Sequence, residues 1–163
     1  MEEIRAGVTG GCQCGAVRYR TDVMLDNAHL CHCRMCQKAV GNIFAALVAT
    51  PNASLTWTRG QPSIFKSSDH AERGFCSQCG TPLFYNSLDN DRINLTIGSL
   101  DNPNQFPPGG EVGVEAKVDW LNSITQFTDS AETGTDGDQA WAESIRQTSH
   151  QHPDHDTENW PPK

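Results

Sequence analysis

The sequence predicts a mainly β domain made of short strands and zinc knuckles, with a short C-terminal helix or tail. Short apolar or alternating runs recur through residues 10–121, bounded by Gly, Asn, Asp or Ser, a spacing typical of β domains. All seven cysteines lie in short clusters within this stretch. From Asp129 onward apolar residues become scarce. We therefore predict a zinc-binding domain over residues 1–128 and a polar, partly disordered tail over residues 129–163.

The predicted elements follow the hydrophobic pattern along the chain. The predicted strands cover residues 10–20, 43–50, 55–58, 63–66, 81–86, 92–100 and 112–121. The last strand rests on the alternation of Val112, Val114, Ala116 and Val118. One helical turn is expected within residues 34–41. Five aromatic residues are expected in the core rather than in a binding site: Phe44, Trp57, Phe65, Phe84 and Trp120.

The predicted tail contains one helix and one cluster of histidines. Asp138 is a suitable N-cap for a helix that runs to about Thr148, with Trp141 and Ile145 on one face. Beyond the helix, a further metal site could be formed by His150, His152 and His155. Because Pro153 breaks any helix there, the pattern favours a solvated polar tail over a metal site.

Charge and composition narrow the range of partners. The formal net charge is -8, which argues against nucleic acid, since phosphate binding requires a basic face. No apolar run is long enough to span a membrane. The start, Met-Glu-Glu-Ile-Arg, lacks the apolar run of a signal peptide. We therefore expect a cytoplasmic protein whose clustered cysteines bind metal rather than form disulfides or remain free.

Four of the cysteines have the spacing of a structural zinc site. Cys12 and Cys14 would point to the same face of a strand. Cys76 and Cys79 are separated by two residues, and Gly80 follows them, as in a zinc knuckle. The two pairs together supply the four thiolates of a closed tetrahedral site. We call these residues the four-cysteine cluster.

The remaining cysteines, Cys31, Cys33 and Cys36, supply three thiolates within six residues. Three protein ligands and one exchangeable position are typical of catalytic zinc. The three-cysteine cluster, as we call it, is therefore the candidate catalytic site. A histidine could instead close it as a fourth ligand, and the candidates are His29, His32, His150, His152 and His155. For His32 we favour a hydrogen-bonding role around the site.

The charge of three thiolates predicts the chemistry of the site. Thiolates donate strongly to zinc, so the metal would activate water poorly but would hold a fourth sulfur as thiolate at neutral pH. The expected reaction is attack by that sulfur on an electrophilic carbon. Lys38 or Arg34, beside the cluster, could offset the anionic charge.

Three segments of the sequence closely resemble the glutathione-dependent formaldehyde-activating enzyme family, whose superfamily includes centromere protein V. They are GGCQCGAVRY at 10–19, CHCRMCQK at 31–38 and FCSQCGTPL at 75–83. The resemblance covers roughly residues 7–127 and implies a β-tent fold with two zinc ions. It implies a structural zinc on the four-cysteine cluster and a catalytic zinc on the three-cysteine cluster. The implied activity is that of a carbon–sulfur lyase, which joins glutathione to formaldehyde.

Two other functions are compatible with a four-thiolate zinc site. A non-enzymatic β-tent zinc module would act through binding alone, but it would not need the three-cysteine cluster. A methionine sulfoxide reductase would need a free nucleophilic cysteine outside the metal sites, whereas every cysteine here lies in a cluster. The substrates are therefore expected to be a small thiol, such as glutathione, and a small electrophile.

Overall fold

Two sheets make up most of the described chain, which comprises residues 3–128, 131–132 and 138–160 in the computed structural model. The strands are β1 (Glu3–Gly11), β2 (Arg18–Leu25), β3 (His29–Cys31), β4 (Ala45–Pro51), β5 (Leu55–Arg59), β6 (Ser63–Ser68), β7 (Ala71–Phe75), β8 (Pro82–Ser87), β9 (Arg92–Thr96) and β10 (Gly110–Val112). The α-helices are α1 (Arg34–Val40) and α2 (Gln139–Thr148). Short 3-10 helices cover Asn52–Ser54, Ile97–Ser99, Pro103–Gln105, Val114–Ala116 and Asp119–Gln126. The predicted mainly β class is confirmed.

The sheet order brings distant cysteines to neighbouring turns. The small sheet has the order β1-β2-β5, and the large sheet has the order β10-β3-β4-β9-β8-β7-β6. The pairs are antiparallel except for β10 with β3. Two cysteines lie in the turn between β1 and β2, and two more lie in the turn between β7 and β8. The three-cysteine cluster spans the end of β3 and the start of α1.

The main core lies between the two sheets. Tyr19 and Met24 of β2 meet Val48 of β4 and Leu95 of β9, all fully buried. Burial of such a side chain stabilises the fold by roughly 1.5–3 kcal/mol. Cys12 and Cys76 belong to this core, whereas Cys31 and Cys36 lie in a separate small cluster with Ala45 and Leu47. The two metal-binding candidates therefore differ in how far they are built into the fold.

The first predicted strand, 10–20, is wrong in detail. β1 ends at Gly11 and β2 begins at Arg18, so Cys12 and Cys14 lie in the connecting turn rather than on a strand. The two glycines before the first cysteine are compatible with either structure. The turn still places the two sulfur atoms side by side, 3.6 Å apart.

The last predicted strand, 112–121, is also wrong. β10 covers only Gly110–Val112, because Gly113 adopts a left-handed conformation with φ of 66° and turns the chain into 3-10 helices. Val112 and Val114 are 47% and 55% exposed. Their alternation therefore does not mark a buried face.

The aromatic residues divide into buried and exposed groups. Phe84 is buried, and Trp57 packs against the core, as predicted. Phe44 is half-buried and packs edge-on against His32. Phe65 and Trp120 are 61% and 54% exposed, so their assignment to the core was wrong.

The C-terminal helix is confirmed, but its apolar face is not buried. The Asp138 carboxylate accepts a hydrogen bond from the Trp141 backbone N–H at 3.0 Å and caps α2. Trp141 and Ile145 are exposed, and Ala142 is the buried residue of the helix.

The boundary at residue 128 stays a prediction. Part of the predicted disordered tail (129, 130, 133–137 and 161–163) lies outside the described residues. No helix of the described residues is long and apolar enough to cross a membrane.

Two candidate metal centres

The four-cysteine cluster has the geometry of a tetrahedral thiolate site. Its four sulfur atoms lie within 4.8 Å of one another. The Sγ atom of Cys14 is 3.6 Å from that of Cys12 and 3.9 Å from that of Cys76. Zinc–sulfur bonds of about 2.3 Å in a tetrahedron place the sulfurs about 3.8 Å apart. Because disulfide sulfurs would be about 2.05 Å apart, the sulfurs are free thiols whose spacing fits zinc.

The two turns that carry this cluster share one backbone pattern. The Cys12 N–H donates to the Val17 carbonyl and the Gly15 N–H donates to the Cys12 carbonyl, each at 3.0 Å. The turn between β7 and β8 repeats the arrangement, with Cys76 N–H to Thr81 and Gly80 N–H to Cys76. Gly15 and Gly80 have φ of 77° and 78°, which favours glycine directly after the second cysteine of each turn.

The surroundings of the cluster shift its pKa values in opposite directions. Burial raises the pKa of Cys12 to about 12. Burial also raises the pKa of Cys79, but hydrogen bonds from the Thr81 hydroxyl and backbone outweigh it and lower that pKa to about 6. At neutral pH a metal ion must therefore displace the Cys12 proton, while the Cys79 sulfur is already mostly thiolate.

Residues 149–160 fold back over the four-cysteine cluster. The His152 N–H donates to the Gln13 carbonyl at 2.7 Å, and the Trp160 indole N–H donates to the Cys14 carbonyl. Trp160 also packs against the main core. The His152 ring is so close to Gly15 that an added Cβ there would lie 2.2 Å from it. We call residues 149–160 the C-terminal strap, and it leaves the cluster covered.

One buried and one half-buried arginine bind the strap to the domain. Arg18 is 2% exposed and binds Asp101 at 2.7 Å and Asp156 at 2.8 Å. Arg59 donates to the carbonyl of Thr157 and lies 3.2 Å from the His152 ring nitrogen. Most residues of the strap are exposed, but His152 is buried and serves as a packing and hydrogen-bonding surface.

The three-cysteine cluster is built on a short loop and one helical turn. Cys31 ends β3, the Cys33 sulfur accepts from the Cys36 N–H at 3.4 Å and caps α1, and Cys36 lies in the first turn. The three sulfurs lie within 4.8 Å of one another. Among the described residues, no histidine or carboxylate joins this group. The cluster therefore offers three ligands and one open position.

His32 is buried beside the cluster but pairs elsewhere. Its Nε2 atom lies 3.3 Å from the carboxylate of Glu111, and Glu111 in turn binds Lys117 at 2.8 Å. Its ring packs edge-on against Phe44. The ring thus connects the loop to β10 and does not supply a ligand.

The cation at the three-cysteine cluster is Arg73, which sequence reasoning missed. Its Nη2 atom donates to the Cys36 sulfur at 3.5 Å, Nε donates to the Ser67 hydroxyl at 3.3 Å, and the guanidinium lies 5.1 Å from the centre of the Tyr85 ring. The side chain is buried. Of the two cations expected from sequence, Arg34 is exposed and binds Gln37 at 2.9 Å, and Lys38 is exposed.

The cysteines of this cluster also differ in pKa. Burial raises the pKa of Cys31 to about 12. Burial raises the pKa of Cys33 as well, but the Cys36 backbone N–H, the neighbouring thiols and Arg73 outweigh it, so that pKa is lowered. Of Cys31 and Cys33, Cys33 is thus the thiol that ionises more readily.

Two adjoining cavities open at the three-cysteine cluster. The first, of about 370 Å³, contains all three cysteines and has a polar wall of Asn27, His29, Ser87, Asn90, Arg92 and Asn94. The second, of about 540 Å³, has a mainly apolar wall between α1 and strands β6–β8. Both cavities are lined by Met35, Leu47, Arg73 and Tyr85. The Arg73 guanidinium therefore lies where the two cavities meet.

Comparison with known proteins places the chain in a family. The sequence pattern of the glutathione-dependent formaldehyde-activating enzyme family matches residues 7–116. The chain belongs to this family. The matched range contains all seven cysteines and Arg73. The C-terminal strap lies outside it.

Two individual relatives accompany the family match. An uncharacterized lyase of Schizosaccharomyces pombe is 30% identical over 76 residues. The aligned part covers 47% of this chain, and the chain spans about half (55%) of that relative's length. The crystal structure of a Rhodobacter sphaeroides protein matches with a TM-score of 0.54 and 22% identity, over 64% of this chain and 99% of that one. This structural likeness concerns the fold alone.

Proposed function

We propose that this chain is a zinc-dependent carbon–sulfur lyase of the glutathione-dependent formaldehyde-activating type, which adds a small thiol such as glutathione to a small aldehyde. The observation that carries the proposal is the three-cysteine cluster, which opens into a cleft and has no fourth ligand among the described residues. Membership of the family supports the reaction type. The name of the yeast relative, a lyase, agrees with it.

The two clusters take different roles in this proposal. Cys12, Cys14, Cys76 and Cys79 would hold a structural zinc ion, and Cys31, Cys33 and Cys36 would hold a catalytic one. When bound at the second site, zinc would keep the sulfur of the incoming thiol ionised at neutral pH. Clustered thiols that must stay reduced also suit a reducing compartment such as the cytoplasm.

Arg73 would neutralise negative charge where the thiol arrives. Three cysteine thiolates and a substrate thiolate exceed the charge of one divalent ion, and a guanidinium at 3.5 Å from the Cys36 sulfur offsets part of the excess. Its position is fixed by Ser67 and by the Tyr85 ring. Burial strengthens the effect because water screens the interaction less.

The polar cleft suits the rest of a glutathione-like thiol. The wall of the cleft has no acidic residue, and it offers the amides of Asn27, Asn90 and Asn94 together with the guanidinium of Arg92. Amides and a guanidinium are suitable partners for the carboxylates and peptide groups of a tripeptide. These residues would orient the thiol so that its sulfur reaches the open position.

The proposed reaction is an addition without a change of oxidation state. The sulfur forms a bond to the carbonyl carbon, the π bond of the carbonyl breaks, and its oxygen receives the proton that the thiol gives up. The product is a hemithioacetal, an S-(hydroxyalkyl) thioether. A binding module without activity would need neither the open position nor the two cavities, so we favour the enzyme.

The proposal is tested by measuring, by NMR, how fast glutathione and formaldehyde exchange with their adduct in the presence of the zinc-loaded chain. We expect acceleration over the spontaneous addition. Arg73→Met should lower kcat/KM by about 10- to 100-fold, since hydrogen bonds to charged groups contribute about 1.5–3 kcal/mol. Arg34→Met is the matched control, because that guanidinium is exposed and binds Gln37. A zinc-loaded chain that leaves the spontaneous rate unchanged both for formaldehyde and for larger aldehydes would refute the lyase assignment.

A further inference from the structure

The apolar cavity beside the three-cysteine cluster has no role in a reaction with formaldehyde. Its volume of about 540 Å³ lies in the range of pockets that bind drug-sized ligands. A water molecule takes about 30 Å³ in the liquid, and formaldehyde is not much larger. Formaldehyde also has no side chain that could enter the cavity. The cavity therefore fits an aldehyde whose carbonyl carbon carries a substituent.

The cavity wall identifies the chemistry of that substituent. It contains no acidic residue, and its bulk is formed by Val40, Phe65, Phe75, Pro82 and Phe84. Phe65 and Met35 are each 61% exposed at this wall. Large apolar side chains exposed next to a polar site are a recognised feature of ligand-binding grooves. An alkyl or aromatic group would bury them and gain hydrophobic free energy.

The polar cleft and the apolar cavity would divide two substrates between them. The cleft, with its asparagines and Arg92, suits a peptide-like thiol. The Phe65, Phe75 and Phe84 side chains of the cavity offer the charges and amides of such a thiol no polar partner. Arg73 and Tyr85 line both spaces, and Arg73 also contacts the Cys36 sulfur. The sulfur of a thiol in the cleft would thus meet a carbonyl whose substituent points into the cavity.

We infer that the preferred electrophile of this chain is an aldehyde of about four to six carbons, whose apolar chain is held in the cavity that Phe65 borders. This inference rests on the proposed function and deepens it. The addition is the same as before. The sulfur–carbon bond forms at the aldehyde carbon, the carbonyl π bond breaks, and the thiol proton goes to the oxygen.

A homologous series of aldehydes tests the inference. Propanal, butanal, pentanal and hexanal have nearly equal carbonyl reactivity and differ only in chain length. With the zinc-loaded chain and fixed glutathione, kcat/KM should rise about fourfold per methylene, or about 60-fold over the series, because a buried methylene contributes about 0.8 kcal/mol. Values that are flat or fall with chain length would overturn the inference and leave the lyase assignment standing.

Two variants locate the effect. Phe65→Ala should reduce the rise to about twofold per methylene, because it removes one wall of the cavity. Phe127→Ala is the matched control: Phe127 is 63% exposed, like Phe65 at 61%, but lies in neither cavity wall. Equal slopes for the wild type and Phe65→Ala would place the aldehyde chain elsewhere and refute the assignment of the cavity.

A binding measurement separates this inference from the lyase proposal. The unreactive alcohols from propanol to hexanol should bind with affinities that rise about fourfold per methylene, measured by NMR titration without glutathione. If no aldehyde reacts but the alcohols show this slope and Phe65→Ala lowers it to about twofold per methylene, the lyase proposal fails and the cavity assignment stands. If alcohol affinity does not depend on chain length, the cavity assignment fails.

Discussion

The two cysteine clusters use the same ligand atom but are embedded in the fold in opposite ways. The four-cysteine cluster joins two β turns, contributes Cys12 and Cys76 to the main core and lies under the C-terminal strap. The three-cysteine cluster lies in a small satellite core and opens into one cavity, which shares wall residues with a second. In the proposed function, the surroundings of a thiolate site, together with its ligand number, separate a structural metal site from a reactive one.

Chain connectivity adds a second difference. Cys14 and Cys76 are 62 residues apart in sequence, so a metal ion between them closes a long loop. All three cysteines of the other cluster lie within six residues, where a metal ion orders little more than one turn. Because the entropy of loop closure grows with loop length, the first site should contribute far more to folding.

The largest effect is expected at the four-cysteine cluster. Cys76→Ser should leave the chain unfolded or insoluble, since structural zinc contributes roughly 10–16 kcal/mol of apparent binding energy to folding. Circular dichroism and the soluble yield would show it. A soluble Cys76→Ser protein with an unchanged Tm would contradict the structural role of this cluster.

A smaller effect on folding is expected at the three-cysteine cluster. Cys33→Ser should lose about one zinc ion per chain and about 100-fold or more in activity, yet keep its fold, because the serine oxygen can still cap α1. Metal analysis and the Tm measure the two effects separately. If Cys33→Ser unfolds as completely as Cys76→Ser, both clusters are structural and the comparison fails.

The strap provides a milder test of the covered site. Trp160→Ala removes the hydrogen bond to the Cys14 carbonyl and the packing of the indole. We expect zinc release to a chelator to become about tenfold faster from the four-cysteine cluster only. That factor corresponds to a loss of roughly 1–2 kcal/mol of stabilisation at the site. Trp141→Ala is the control, since Trp141 is 61% exposed on α2. Unchanged release from Trp160→Ala would mean that the strap does not protect the metal.

The local parts of this account could be predicted from sequence. Cysteine spacing within six residues fixes which sulfurs meet, and the glycines after Cys14 and Cys79 indicate tight turns that the structure contains. The capped helix at Asp138 is another local signal. The alternating valines after Gly110 led to a wrong strand prediction. The same sequence pattern occurs in a continuous strand and in a chain that turns at Gly113, so it could not distinguish the two.

The non-local parts could not be predicted. Arg73 reaches Cys36 across 37 residues, and the strand that carries it had no clear alternating pattern. The strap contacts residues such as Arg18, 138 positions from Asp156. A polar segment with scattered histidines gives no signal for such docking. The only hint was a tryptophan, Trp160, in an otherwise polar stretch. The wall of the larger cavity combines six elements that are separate in sequence.

The central claim is that the three-cysteine cluster keeps a position open for a substrate thiol, and cobalt substitution tests it most directly. With cobalt in both sites, adding glutathione should increase the thiolate-to-cobalt absorption by about one thiolate per chain, because only one site has a free position. Cys33→Ser should abolish the increase. If the spectrum already indicates two sites with four protein ligands, and glutathione leaves it unchanged, the second site is closed and the protein is a two-metal binding module.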